Sequence, residues 1–212
     1  MGRVLGAAVC AAPRSGRRAR RSVRRALIEE EVVLAGRTLT LLRPPSADEL
    51  IDEQAFAAEE FLPYWAELWP SGVALAEHVA ALDVRGLLVL ELGAGLGLPS
   101  LAAALRGADV LATDWAEDAV ALLRANAERN HIGLRSELVR WDEPARFGTG
   151  WDLVLAADVL YEQRNAEQLL RLLPQLAARE ILLAEPGRPF AKDFLAAWDG
   201  VEEIGERLYR LR

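Results

Sequence analysis

Three glycines follow a short apolar run in a spacing that predicts a ligand-binding turn. Residues 87–92 have the composition of a buried strand, and Gly93, Gly95 and Gly97 come directly after it. Glycines between a strand and a helix let the backbone turn sharply and approach a ligand closely. The sequence therefore predicts a ligand crevice outside the carboxyl end of this strand.

The spacing of the glycines argues against a dinucleotide ligand. A Gly-x-Gly-x-x-Gly fingerprint would need its third glycine at the position of Leu98, one residue beyond Gly97. An acidic residue before the loop, Glu91, favours a ligand whose nearest end is a zwitterionic amino acid, as in S-adenosylmethionine. We therefore assign Glu91 and the three glycines to the binding of S-adenosylmethionine. A nicotinamide-dependent oxidoreductase is disfavoured.

Acidic and aromatic residues follow the next two predicted strands. Asp114 lies 21 residues after Gly93, where a carboxylate can accept hydrogen bonds from both ribose hydroxyls. The alternative is that Asp114 caps the next helix, and the adjacent Trp115 is assigned to the same ligand. Trp141 and Asp142 come after the third strand, where an indole can lie against the adenine ring and a carboxylate near its amino group. Core packing is the alternative for Trp141.

A carboxylate and a phenol lie three residues apart after the fourth predicted strand. Asp158 and Tyr161 belong to the run Ala-Ala-Asp-Val-Leu-Tyr. In a doubly wound sheet this strand neighbours the first, so its end faces the reactive part of a ligand held by the glycine loop. Asp158 and Tyr161 are the predicted catalytic pair, and Asp158 is also assigned to the cofactor's methionyl group. The alternative is that Asp158 caps a helix while Tyr161 packs.

Strands alternate with helices through the region that positions these residues. This alternation predicts an α/β fold, with a parallel sheet covered by helices on both faces. The predicted strands are residues 87–92, 109–113, 136–141, 152–158 and 180–185. The predicted helices are residues 46–60, 73–82 with Ser71 as N-cap, 98–105, 116–130, 165–178 with a kink or break at Pro174, and 190–198. Residues 31–43 and the residues after Gly200 are predicted hairpins, and residues 63–72 a loop.

Composition places the chain among single-domain globular proteins. Its 212 residues are 52% hydrophobic and 27% charged, with one cysteine, which excludes a disulfide scaffold and a disordered chain. The length predicts one domain, residues 29–212, whose N-terminal segment is 29–72. No apolar run reaches the roughly 20 residues of a membrane-spanning helix. His78, His131 and Cys10 lack the spacing of metal ligands, so no metal is assigned.

The charge distribution separates an N-terminal tail from the rest of the chain. Eight arginines precede the first acidic residue, Glu29, so residues 29–212 hold 17 basic and 32 acidic residues and carry a net charge of −15. Such a charge disfavours nucleic acid and favours a basic partner. Residues 1–28 are predicted to be disordered or not native; a mitochondrial transit peptide and a basic binding arm are the alternatives. We expect a bacterial cytoplasmic protein, or a mitochondrial one if the tail is a transit peptide.

Together these motifs resemble class I S-adenosylmethionine-dependent methyltransferases. Glu-Leu-Gly-Ala-Gly-Leu-Gly at 91–97, followed by Asp114, Asn126, Asn130 and Asp158-Val-Leu-Tyr161, is similar to the seven-strand protein-lysine methyltransferases with an Asp-x-x-Tyr motif. Residues 62–72 are similar to the electron-transfer-flavoprotein β-subunit lysine methyltransferases and their bacterial relatives. The resemblance implies a Rossmann-like seven-strand sheet with a C-terminal antiparallel hairpin, and it implies that Trp69 lies over the cofactor.

The resemblance also implies an activity, the transfer of the sulfonium methyl group to a lysine side chain of a protein. An acidic rim of Asp158 and Glu185, which ends the fifth strand, would hold the lysine ammonium until water takes its proton. A small-molecule N- or O-methyltransferase, a catalytically silent cofactor-binding scaffold and a nucleic-acid methyltransferase are the alternatives. The acidic body and the lack of an Asn-Pro-Pro-Tyr-type motif after the fourth strand disfavour the last.

Overall fold

The computed structural model describes residues 27–46 and 63–212, which hold a two-stranded and a seven-stranded β-sheet. The antiparallel hairpin consists of β1 (Ile28–Leu34) and β2 (Arg37–Arg43). The larger sheet consists of β3 (Leu88–Leu92), β4 (Asp109–Asp114), β5 (Arg135–Leu138), β6 (Leu153–Ala157), β7 (Glu180–Ala184), β8 (Val201–Gly205) and β9 (Leu208–Leu211). Its strand order is β5-β4-β3-β6-β7-β9-β8.

Five α-helices connect and cover these strands in the described part of the chain. They are α1 (Pro70–Ala81), α2 (Leu98–Leu105), α3 (Glu117–Arg129), α4 (Gln163–Leu172) and α5 (Ala191–Ala196). The predicted break at Pro174 is confirmed, because α4 ends at Leu172 and a 3₁₀ turn, Leu173–Leu176, follows. No helix of the described ranges has the length and apolar character to cross a membrane.

Every pairing among β5, β4, β3, β6 and β7 is parallel, whereas β9 pairs antiparallel with both β7 and β8. Successive side chains along the central strands enter two different clusters of buried residues, with Val89 in one cluster and Leu90 in the other. This alternation places one core on each face of the sheet. The α/β fold, the mostly parallel sheet and both hairpins are therefore confirmed.

The N-terminal hairpin docks on α3 through two buried asparagines. The backbone N–H of Leu42 donates to Asn126 Oδ1 over 2.7 Å, and that of Thr40 donates to Asn130 Oδ1 over 2.9 Å. The amide nitrogen of each asparagine donates back to the carbonyl of the same β2 residue. Asn126 and Asn130 thus bind the free edge of β2 as a neighbouring strand would.

Two local predictions are wrong in their details. Helix α1 begins at Pro70 with Trp69 as its N-cap, so Ser71 lies within the first turn and is not the cap. Proline favours this first position because its missing N–H has no helical partner to lose. Strand β5 ends at Leu138, so Trp141 lies in a loop. Residues 1–26 and 47–62 lie outside the described part of the chain, so nearly all of the helix predicted at 46–60 and most of the predicted tail lie there too.

Candidate functional site

The glycine loop between β3 and α2 forms the floor of a cleft at the carboxyl edge of the sheet. Gly93, Gly95 and Gly97 all have positive φ angles, of 63°, 52° and 81°. A Cβ on Gly95 would lie 3.1 Å from the Trp65 carbonyl oxygen, and one on Gly97 would lie 2.7 Å from Leu123 Cγ. Glycine therefore suits the loop at these positions, and at Gly97 an added Cβ would force Leu123 to move.

Asp114, the last residue of β4, holds the glycine loop in place. Its Oδ2 accepts a hydrogen bond from the Gly95 N–H and its Oδ1 accepts one from the Ala116 N–H, both over 2.9 Å. The side chain is buried, and this burial raises the pKa of Asp114 above its ordinary value. Each carboxylate oxygen can accept a second hydrogen bond, so the group still has acceptor capacity toward a ligand hydroxyl.

Glu91 lines the same cleft, and its carboxylate also accepts hydrogen bonds from the first turn of α2. Its Oε2 accepts hydrogen bonds from the Ser100 backbone N–H, over 2.9 Å, and from the Ser100 hydroxyl. Burial raises the pKa of Glu91 to about 8, and the nearby Asp114 carboxylate adds to that rise. A bound cation would favour the ionised form of both carboxylates.

Three aromatic residues line the cleft together with the glycine loop. The indole Nε1 of Trp69 donates to the Tyr64 carbonyl oxygen over 2.8 Å. The Tyr64 ring centroid lies 6.2 Å from that of Trp69 and 5.0 Å from that of Tyr161. Trp69, Tyr64 and Tyr161 therefore form a continuous aromatic wall along one side of the cleft.

Asp158 sits in a strained backbone conformation immediately after β6. Its φ angle is 53°, and its N–H donates to the Ala184 carbonyl over 2.9 Å. Its carboxylate is paired with Arg188, whose Nε lies 2.8 Å from Oδ1 and whose Nη2 lies 3.0 Å from Oδ2. Non-glycine residues with positive φ cluster at functional sites.

Arg188 is a site residue that the sequence analysis missed. It belongs to the Glu-Pro-Gly-Arg turn after β7, in which the N–H groups of Gly187 and Arg188 donate to Glu185 Oε1. Glu185 is buried and does not line the cleft, which departs from its predicted place in an acidic rim. The sequence signal that could have identified Arg188 is the Glu-Pro-Gly-Arg run, because a carboxylate that binds the next backbone N–H groups makes a turn and keeps the arginine near the end of the strand.

The hydroxyl of Tyr161 is buried and protonated, so it is not available as a base at neutral pH. Burial raises the pKa of Tyr161 to about 12, so its hydroxyl keeps its proton at neutral pH. Asn165, on the first turn of α4, is buried beside Tyr161, and its side-chain hydrogen bonding to Tyr161 partly offsets this rise in pKa.

The structure brings nearly all of the predicted site residues to one cleft. Those that line it are Trp69, Glu91, Gly93, Gly95, Gly97, Asp114, Trp115, Trp141, Asp158 and Tyr161. Asp142 instead lines a neighbouring depression, which shares Trp115, Trp141 and Tyr161 with the cleft. Its side chain is exposed and pairs with Arg140, whose Nε lies 3.3 Å from Asp142 Oδ1. Within residues 27–46 and 63–212, no group of three or more histidine, cysteine or acidic residues could hold a metal ion.

The chain is similar to several proteins of known activity. It is 33% identical over 139 residues to the electron transfer flavoprotein beta subunit lysine methyltransferase of Homo sapiens, a match covering 60% of this chain and 50% of that protein. It is 37% identical over 130 residues to the protein N-lysine methyltransferase METTL21A of Mus musculus, covering 56% of this chain and 59% of that protein. The chain thus spans about half the length of the curated relatives it matches.

Solved structures share the fold at lower sequence identity. The 16S rRNA N2 G1207 methyltransferase of T. thermophilus, solved with AdoMet and guanosine, superimposes with a TM-score of 0.64 at 17% identity, covering 88% of this chain and 50% of that one. The magnesium protoporphyrin IX methyltransferase of Synechocystis PCC 6803, solved with SAM, gives 0.54 at 23% identity, covering 67% of this chain and 77% of that one. Both similarities support the seven-strand fold.

A family model described as lysine methyltransferase matches residues 64–197. This range contains every predicted site residue, from the aromatic wall through the glycine loop and Asp114 to Asp158 and Tyr161. It also covers more than half of the chain. The chain therefore belongs to the lysine methyltransferase family.

Proposed function

We propose that this chain is an S-adenosylmethionine-dependent methyltransferase that methylates a lysine side chain of a protein. The observation that carries the proposal is the meeting, in one cleft, of a glycine loop held by Asp114 with the Asp158 carboxylate and the Tyr161 hydroxyl. Family membership supports the reaction class. The same pattern of residues supports lysine as the acceptor.

The chemistry of the cleft floor fits S-adenosylmethionine better than a phosphorylated ligand. Glu91 and Asp114 are both buried there, and neither forms an ion pair with a residue of the described ranges. A ligand that carries a sulfonium and an ammonium would stabilise the ionised form of both carboxyl groups, whereas the negative charge of a pyrophosphate would oppose it. Asp114 would accept the ribose hydroxyls, and the glycine loop would lie along the methionyl group.

Bound in this cleft, S-adenosylmethionine supplies a methyl group on a positively charged sulfur, which a neutral amine can attack. The chain's own residues would bring the amine there and keep water away. The Asp158 carboxylate would hold the lysine ammonium until water takes its proton and leaves the neutral amine. The protonated Tyr161 hydroxyl would donate a hydrogen bond at the cleft wall, and Trp69 would cover the bound cofactor. Positioning of this kind can supply much of the rate acceleration.

The reaction is tested by methyl transfer from radiolabelled S-adenosylmethionine, with the full chain and a cell lysate separated into protein and small-molecule fractions. We expect label in a protein band and, after hydrolysis of that band, in methylated lysine. Label confined to small molecules would contradict the lysine assignment and support the small-molecule alternative. Absence of label despite cofactor binding would support a silent scaffold.

A matched pair of variants ties the reaction to the proposed acceptor site. Asp158 lies directly after β6, and Asp152 lies just before it, 23% exposed and paired with Arg179. Asp158→Asn is expected to abolish labelling of the protein. Asp152→Asn removes the same charge at the opposite end of the same strand and is expected to leave labelling near the wild-type level.

A further inference from the structure

The carboxylate that would receive the acceptor amine is already occupied by a cation of the chain itself. The Arg188 guanidinium makes two hydrogen bonds to Asp158, of 2.8 and 3.0 Å. The Asp158 side chain is 4% exposed, whereas that of Arg188 is 33% exposed. The guanidinium thus takes one hydrogen-bonding position on each Asp158 oxygen, and an ammonium that reached Asp158 from the cleft would have to compete with it for the carboxylate.

The surroundings of the guanidinium are those that recognise an alkylammonium. Arg188 Cζ lies 5.4 Å from the centroid of the Trp69 ring, a cation–π distance. The negative faces of aromatic rings and a buried carboxylate attract any organic cation, whether guanidinium or ammonium. The site that Arg188 fills is thus chemically the site that a lysine side chain needs.

The backbone of Arg188 is fixed, so its side chain can leave without unfolding the turn. The Arg188 N–H donates to Glu185 Oε1, and the Arg188 carbonyl accepts from the Ala191 N–H over 3.1 Å. None of these bonds involves the guanidinium. A change of side-chain rotamer would carry the partly exposed guanidinium into solvent, where water replaces its hydrogen bonds, and would uncover Asp158.

We propose that Arg188 occupies the acceptor site as a stand-in for the substrate cation and must swing out before a lysine can bind. The proposal deepens the function proposed above and rests on it for the identity of the acceptor. Arg188 is then a specificity-determining residue, because every acceptor competes with it for Asp158. A neutral residue at this position would remove the competitor and tighten acceptor binding.

The probe for this competition is n-butylammonium, which has the chemistry of a lysine side chain. Its dissociation constant is measured by ligand-observed NMR on the full chain in the presence of S-adenosylhomocysteine. We expect Arg188→Gln to bind the probe at least about tenfold more tightly than wild type. Arg179→Gln is the control for the loss of one arginine, since Arg179 also pairs with an aspartate, Asp152, but in an exposed pair at the opposite ends of β6 and β7. It should bind like wild type.

Further variants keep the test decisive. The double variant Arg188→Gln/Asp158→Asn should lose the gained affinity, because the carboxylate is then absent. Arg188→Lys, which keeps a cation with a single donor group, should fall between wild type and Arg188→Gln and replaces it if that variant does not fold. Unchanged or weaker binding in Arg188→Gln, with normal S-adenosylhomocysteine affinity, would overturn the proposal. If Arg188→Gln bound S-adenosylhomocysteine more tightly but n-butylammonium no more tightly than wild type, the proposal would also be overturned.

This experiment separates the inference from the proposed function, because binding of n-butylammonium needs no methyl transfer. If the probe binds Arg188→Gln tightly but no protein is ever labelled, the cation site stands and the lysine methyltransferase activity fails. If protein is labelled, Arg188→Gln should also lower the KM for the protein acceptor several-fold. A fall in kcat with unchanged KM would instead mark Arg188 as a residue that merely positions Asp158.

Discussion

Asp114 and Asp158 end the two strands that flank β3, yet the structure satisfies their carboxylates in different ways. Asp114 accepts hydrogen bonds from two backbone N–H groups, whereas Asp158 is paired with the side chain of Arg188. The backbone N–H groups cannot leave Asp114 unless the loop refolds, whereas the Arg188 guanidinium can leave Asp158 by a change of side-chain rotamer. The Asp114 side of the cleft, the built half, therefore has its hydrogen bonds in place before a ligand binds. On the Asp158 side, the acceptor half, the lysine ammonium must replace the Arg188 guanidinium.

Asp114→Asn is the change with the largest expected effect on the built half. The amide has only one acceptor atom, so one of the N–H groups of Gly95 and Ala116 loses its partner. The amide also replaces the charged acceptor that would bind the ribose hydroxyls, and loss of a charge-assisted hydrogen bond to the ligand costs about 1.5–3 kcal/mol, which corresponds to about 10- to 150-fold weaker S-adenosylhomocysteine binding by calorimetry. Asp109→Asn, at the exposed start of the same strand, is the control. Equal affinities for wild type and Asp114→Asn would show that this half is not built around Asp114.

Gly97→Ala tests whether the loop shape is required. Alanine would place its Cβ 2.7 Å from Leu123 Cγ at a φ of 81°. The left-handed conformation and overpacking together predict a loss of about 2–5 kcal/mol in the free energy of unfolding. Gly150→Ala isolates the conformational part, because Gly150 has a φ of 82° and no atom within 4 Å of the added Cβ. If urea denaturation gave equal losses for the two variants, the contact with Leu123 would not matter.

Glu91→Gln changes how stability depends on pH. Because burial raises the pKa of Glu91 to about 8 in the folded chain, its contribution to stability is complete below about pH 4.5 and is lost as the pH rises toward 8. The loss reaches up to about 1.4 kcal/mol per pH unit. The urea midpoint of wild type should therefore fall relative to that of Glu91→Gln between pH 5 and 8. The exposed Glu128→Gln controls for the loss of one charge, and a constant difference would contradict the burial argument.

The smallest effect is expected at the margin of the built half. Asp142 is exposed and paired with Arg140, and such pairs contribute little. Asp142→Ala should therefore keep S-adenosylhomocysteine affinity within about threefold of wild type. A loss of tenfold or more would restore the contact with the adenine amino group that the sequence predicted.

Much of the built half could be predicted from the sequence because its signals are local. Glycines directly after an apolar run specify a turn, and Asp114 follows the next strand at a fixed distance along the chain. The sheet order follows from alternating strands and helices. Each of these rests on residues that are near one another in the sequence.

The Asp158 half could not be predicted in the same way, because its contacts join distant residues. Arg188 lies 30 residues from Asp158, and only the parallel pairing of β6 with β7 brings them together. The docking of the hairpin on Asn126 and Asn130 likewise spans more than 80 residues. The role of Glu185 was misjudged for a different, local reason, since its carboxylate turns back onto the Gly187 and Arg188 N–H groups two and three residues further along the chain.

The affinity of Asp158→Asn for S-adenosylhomocysteine tests the division of the cleft most directly. If Asp114 belongs to the cofactor half and Asp158 to the acceptor half, calorimetry should give Asp158→Asn a dissociation constant within about threefold of wild type, while Asp114→Asn loses at least about tenfold. Methyl transfer to protein should disappear in both variants. An equal loss of S-adenosylhomocysteine affinity in the two variants would contradict the division and would support the predicted contact of Asp158 with the cofactor's methionyl group.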